Sequence, residues 1–141
     1  MGATCGVHRL VADVAARSEG KVLFVKYKDV SKYDGQRGWF LPDDFLNWEE
    51  HPREAARRIL REQAGIATKV ETLSHIESFA GGAGGAWHLI FHYTTELPGA
   101  SKPIAGSNVA DAKWFPLSKL PPRKDVSHGG WALDVLKETL G

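Results

Sequence analysis

Between residues 41 and 66 the chain reads "LPDDFLNWEEHPREAARRILREQAGI", with the carboxylates Asp43, Asp44, Glu49, Glu50, Glu54 and Glu62 on and just ahead of one segment. Hard divalent cations prefer oxygen ligands, above all charged ones, so this is the stretch where metal-assisted chemistry would be built. The residues that alternate with those acids limit it. Ile59 has no donor atom, and Gln63 offers a neutral carbonyl oxygen that accepts no proton. Asp43 and Asp44 have a second, plainer reading as solvated turn residues, since aspartate is common in turns.

Other reactive side chains are scattered. His88 and His92 fall on one face of an expected strand, but four strand residues span about 13 Å, too far for both to hold one ion directly. They read as ordinary residues, as do His8, His51, His75 and His128. Trp39, Trp48 and Trp87 are candidates for stacking on a base, set against the frequent use of tryptophan in cores and rims. The glycines in "GGAGG" at 81–85 neither match a phosphate-binding loop nor open a helix, so a hairpin loop is expected there. The lone Cys5 cannot form an internal disulfide, and no motif supports it as a nucleophile.

These groups need a scaffold, and the patterning supplies one. The chain has 141 residues, 43% hydrophobic, which suits one domain with a substantial core. Eighteen basic against seventeen acidic residues leave a formal charge of +1, which gives no electrostatic reason to expect nucleic acid or membrane as partner. No apolar run approaches a membrane span or a signal-peptide core, so a reducing cytoplasm is expected.

"VHRLVADV" and "VLFVKY" read as paired strands, and "WFLP" as a buried strand ended by Pro42. From Pro52 to Ala64, Ala55, Ala56, Ile59, Leu60 and Ala64 recur at helical spacing, with proline at the start and Gly65 at the end. The opposite side carries Glu54, Arg58 and Glu62, spaced for four-apart charge pairs. "VETLSHIESF" and "AWHLIFHYTTEL" form an expected hairpin, "DAKWFPLSKLPP" a further strand, and "GGWALDVLKETL" a helix packing through Trp131, Val135, Leu136 and Leu140. Strands interrupted by helices make a mixed α/β domain.

This layout resembles the Nudix hydrolases, whose box is G-x5-E-x7-R-E-U-x-E-E-x-G-U with U bulky and apolar. Glu50, Arg58, Leu60, Glu62, Gly65 and Ile66 satisfy six of the nine specified positions without a gap. Asp44 stands at the opening glycine, Ile59 at the glutamate after the arginine, and Gln63 at the second member of the glutamate pair. The likeness continues through "GKVLFVKY", "GWFLP" and "DAKWFPLSKLP". It implies an α/β/α sandwich with a mixed sheet and the box helix packed against it, a single Nudix-like domain over residues 1–141.

The resemblance further implies hydrolysis of nucleoside diphosphates linked to another group, with Mg²⁺ or Mn²⁺. In a standard member positions 59, 62 and 63 would present three carboxylates, and many members add an acid where this chain has Ser107 and Asn108. Carried over residue by residue, Glu62 is the matched metal-ligand and catalytic position. Glu50 and Arg58 match box residues that partly hold the loop against the helix. Asp43 and Asp44 are candidates to rebuild a metal site in the cleft that Glu62 is expected to face, and Glu49, Glu50 and Asp111 are further candidates. With Ile59, Gln63 and Asn108 neutral, two functions follow. One is a hydrolase of weak or lost standard activity; the other is a non-catalytic module that binds a nucleotide-like ligand or a protein. A regulator built on this fold would need a DNA-binding segment, for which the chain shows no basic helix.

Overall fold

The computed structural model describes residues 8–81 and 85–140, so Cys5, the centre of the glycine-rich hairpin loop and the packing expected of the Leu140 side chain lie outside the described parts. Six strands form one mixed sheet: β1 (His8–Ser18), β2 (Lys21–Tyr27), β3 (Asp43–Phe45), β4 (Thr72–Gly81), β5 (Ala86–Glu96) and β6 (Val109–Pro116). Their order is β4-β5-β1-β2-β6, with β3 also paired to β1. Two helices, α1 (Pro52–Ala64) and α2 (Ser127–Leu140), cover the sheet.

Strand alternation sorts the core onto two faces. Val14, Ala16 and Leu23 pack with Ala56, Leu60 and Ala64 of α1, while Ala15, Val22 and Phe24 pack with Ala132, Val135 and Leu136 of α2. The result is the expected α/β/α layering. At the tip between β1 and β2, Glu19 and Gly20 both take positive φ, 52° and 72°, which matches the twist of a two-residue hairpin. Beyond that tip β1 leaves β2 and runs parallel to β5 over its whole length, from His8 beside Trp87 to Arg17 beside Glu96.

The helix α1 has the bounds that its apolar spacing predicts. The His51 ring accepts from the Arg53 N–H at 3.0 Å, Pro52 fills the first turn, and Gly65 ends the helix at φ 68°. Its C-terminal carbonyls are satisfied by a loop from far along the chain: Ile104 N–H donates to the Ala64 carbonyl at 2.8 Å and Gly106 N–H to that of Gln63 at 3.2 Å. In the other helix His128, Gly129 and Gly130 are left-handed, so the regular part of α2 begins after them.

One strand expectation is corrected. Pro42 does not end the pairing; Trp39 and Phe40 make only isolated bridges, and the strand β3 begins after the proline. Proline lacks a donor, but its carbonyl still accepts, and Pro42 takes the Val14 N–H at 3.1 Å. Asp43 and Asp44 therefore lie in sheet, opposite Asp13 and Ala12, and not in a solvated turn.

Candidate functional site

The inward face of α1 is neutral. Ile59 is fully buried against Ala12 and Ala55, with Leu46 and Phe91 beside them. Gln63 is also buried, and both ends of its amide are in use. Its Nε2 donates to the Asp43 carbonyl at 2.8 Å, and its Oε1 accepts from the Tyr27 hydroxyl at 2.8 Å. That hydroxyl in turn accepts the Asp43 N–H at 3.1 Å, and the Tyr33 hydroxyl reaches the same Asp43 carbonyl at 3.3 Å. The rings of Tyr27 and Tyr33 stack at 3.9 Å. An uncharged knot of hydrogen bonds thus joins β2, β3 and α1 where the box helix meets the sheet.

Glu62 does not share this face. Residues four apart on a helix differ by about 40°, whereas Glu62 stands about 100° from Gln63, which carries it outward. Its side chain is 54% exposed and accepts from Arg58 at 2.9 Å. Arg58 also grips Glu50 through two hydrogen bonds, 2.9 and 3.0 Å, and donates to the Phe45 carbonyl at 2.9 Å. The Arg58 hydrogen bond, acting against partial burial, holds the Glu50 carboxyl below its ordinary pKa. Asp44 is tied to Lys32 at 2.8 Å, with Arg58 at 3.9 Å.

Asp43 and Asp44 open instead onto a cavity of about 390 Å³ on the other face of the sheet, which Glu62 does not line. Aromatic rings of Tyr33, Phe40, Phe45, Phe79 and Trp131 make much of its wall. The charged groups on it include Arg9, Lys32, Asp34, Asp43, Asp44 and Glu77. Two of these have buried atoms without a hydrogen-bond partner among the described residues, Arg9 Nε and Asp43 Oδ1. Burial, reinforced by the charges of Asp13 and Asp44, pushes the Asp43 carboxyl well above the ordinary carboxylate range.

Behind the cavity lies a row of titratable groups that crosses the sheet. Asp13 pairs with Asp43 on one side and with His92 on the other. Both Asp13 oxygens face His92 Nδ1, at 2.9 and 2.8 Å, while His92 Nε2 is 2.9 Å from Glu77 Oε1. The His75 ring lies against that of His92, 4.3 Å away and tilted by 31°. Burial pulls the His92 pKa down, yet the hydrogen bonds and charges of Asp13 and Glu77 outweigh it and the net direction is up. Burial likewise raises Asp13, with His92 opposing.

His92 and Glu77 were invisible to spacing along one strand, because their partners come from neighbouring strands. A signal did exist: Asp13 is a lone acid within the apolar "LVADVAA". Buried charges are seldom left unpaired, so a cation on an adjacent strand was to be expected.

The remaining candidates sit apart. Trp39 packs in the core against Phe115 with Lys26 over its ring, and does not line the cavity. Trp48 is 92% exposed and Trp87 48% exposed, with its indole N–H donated to Ser78. Neither lines the cavity. Asn108 clasps Asp29, accepting its N–H at 2.9 Å and donating to its carbonyl at 3.0 Å. Glu49 lies in the loop before α1 at φ 62°, and Asp111 is exposed on β6.

These donors do not fit the divalent-metal cluster that the box of a standard member implies. Among the described residues no group of three or more His, Cys, Asp or Glu is placed to hold one ion. Ile59 and Gln63 are neutral, Glu62 is turned away, and Asp44 is already paired with cations. Likewise, among the described residues no helix is long and apolar enough to cross a membrane.

Comparison with known proteins bears on the scaffold. A MutT NUDIX hydrolase from Burkholderia pseudomallei superposes with a TM-score of 0.74 at 22% identity, covering 92% of this chain and 96% of that one. The NUDIX domain of Shewanella oneidensis NrtR, solved with ADP ribose, gives 0.73 at 21% identity over 94% and 86%. A bifunctional NMN adenylyltransferase/ADP ribose pyrophosphatase from Francisella tularensis, solved with AMP and a manganese ion, gives 0.69 at 18%, covering 99% of this chain and 44% of that one. No curated protein matches. The sequence profile of the NUDIX domain matches residues 7–134, and with that span the chain belongs to the Nudix family.

Proposed function

We propose that this Nudix-family protein binds a nucleotide-like small molecule in the cavity between Arg9, Asp43 and Trp131, with standard hydrolysis of nucleoside-diphosphate derivatives weak or lost. The observation that carries this is the inward face of α1: Ile59 buried in the core and Gln63 locked to Tyr27 and Asp43. Removing several groups that act as a unit in catalysis leaves little rate, whereas a cleft for the ligand survives such changes.

The cavity has the size and composition of a ligand site, mostly apolar with a few convergent polar groups. Arg9 lines the same cavity, and a guanidinium there suits a phosphate or carboxylate oxygen. The Shewanella domain and the Francisella enzyme were solved with ADP ribose and AMP respectively, which supports a nucleotide-like ligand here. Residues 1–141 are taken as one Nudix-like domain working in the cytoplasm, with Mg²⁺ or Mn²⁺ as cofactor for any turnover that remains.

The test is calorimetry with ADP ribose, with and without EDTA, beside a hydrolysis panel of dinucleotide, nucleotide-sugar and nucleoside triphosphate substrates in Mg²⁺ and Mn²⁺. Binding indifferent to chelation, with no product release above a Glu62→Gln control, is the expected result. Metal-dependent turnover well above that control would return the protein to the working hydrolases.

A further inference from the structure

Glu77 stands on β4 with its side chain in the cavity, and one of its two oxygens is already committed. Oε1 takes the hydrogen bond to His92 Nε2 at 2.9 Å and lies 3.4 Å from Trp131 Nε1. His92 is fully buried and fixed from behind by Asp13, so the imidazole cannot swing away from Glu77. No described residue donates to Glu77 Oε2. A carboxylate oriented in this way, in a pocket walled by rings, has one acceptor ready for a donor from outside the chain.

The walls restrict which donors fit. Phe45, Phe79 and Trp131 line the cavity, and Phe79 already stacks on His88 at 4.8 Å with rings 4° from parallel. Flat rings pack well on such surfaces, while a flexible alkylammonium would lose freedom there without comparable contact. A divalent cation is a poor match, since among the described residues no group of three or more His, Cys, Asp or Glu is placed to hold one.

We propose that Glu77, held by His92 and Asp13, is the specificity-determining residue of the cavity and accepts an N–H from a flat nitrogen heterocycle carrying an amino group or a protonated ring nitrogen. This rests on the cavity being the ligand site. His92 and Asp13 are positioning residues: His92 bonds Glu77, Asp13 holds His92 from behind, and neither lines the cavity.

Calorimetry with four probes tests it: AMP, GMP and CMP, which carry such N–H donors, and purine riboside 5′-monophosphate, which has ring and phosphate but no base N–H. At least one of the first three should bind the wild type about tenfold or more tightly than the fourth, the usual worth of a hydrogen bond to a charged group. Glu77→Ala, which removes the acceptor, should abolish that preference. Glu77→Asp, which keeps the charge but withdraws it by one methylene, should also lower the preference, and melting curves confirm that both variants are folded. Binding without preference, or a preference that persists in either folded variant, overturns the role of Glu77 alone. If none of the four binds the wild type, the cavity is not a nucleotide site and both proposals fall.

Discussion

The Gln63 side chain accepts the Tyr27 hydroxyl at 2.8 Å, deep between α1 and the sheet, at a helix position where a standard Nudix box carries a glutamate. Because the same amide also donates to the Asp43 carbonyl, a carboxylate cannot replace it without losing a donor. Gln63→Glu should therefore destabilise the fold by about 2 kcal/mol at neutral pH, with part of the loss recovered on acidification. Urea denaturation at two pH values measures this, and a loss within experimental error would show that the knot does not depend on the amide.

Arg58 secures the loop before α1 by a planar fork on Glu50 and a third hydrogen bond to the Phe45 carbonyl. Arg58→Ala should cost about 2 kcal/mol, and Arg58→Lys should recover less than half of it, because an ammonium cannot reproduce the paired geometry. The Asn47 amide, which donates to Glu50 at 2.9 Å, should exchange with solvent faster in both variants. Full rescue by lysine would reduce the arrangement to simple charge attraction.

Asp43 sets a pH dependence whose sign is fixed. Its folded pKa lies above the ordinary 3.8, so between that value and the raised one the folded chain holds a proton that the unfolded chain has released. Raising the pH through this window then favours unfolding. Asp13, shifted the same way, adds to the effect, and His92 contributes stability that is complete below its ordinary 6.5 and lost as the pH climbs through its raised value. Asp43→Asn should be more stable than the wild type near neutrality, on the order of 1 kcal/mol or more, with the difference vanishing near about pH 4. A variant whose urea midpoint follows the wild type at every pH would contradict the raised pKa.

Gly106 lets a distant loop touch the end of α1. A Cβ there would fall 1.9 Å from the Glu62 carbonyl oxygen, a backbone atom that cannot move without disturbing the helix. Gly106→Ala should lower stability by about 2 kcal/mol or more and weaken the hydrogen bonds from Ile104 and Gly106 to the helix carbonyls. Unchanged thermal unfolding would mean that the loop shifts freely away.

How far these features could be read beforehand depends on whether their cause is local. The helix α1 and its Gly65 cap follow from spacing and backbone preference within a few turns, and the structure has them at the expected residues. The outward place of Glu62 beside Arg58 also follows from that spacing, whereas the opening of Asp43 and Asp44 onto a cavity that Glu62 does not line depends on how β3 pairs with β1. Pro42 reads as a strand end in the sequence, while the pairing that continues past it uses its carbonyl. The Asp13, His92 and Glu77 row depends on register between β1, β4 and β5, which no single segment encodes. The tryptophans were ambiguous by nature, being equally at home in a core, as Trp39 is, and on a surface, as Trp48 is.

The central strand β1 meets Asp43 on one flank and His92 on the other at a single residue, Asp13. Such a junction makes the fates of distant codons interdependent. Exchanging Asp13 leaves His92 Nδ1 without its partner, and exchanging His92 leaves both Asp13 and Glu77 without theirs, so the costs of the single steps should not add. Kin of this protein should accordingly be recognised by the joint inheritance of aspartate, histidine and an acid at these three strands together with glutamine on the helix, a fingerprint that scoring by box glutamates alone would pass over.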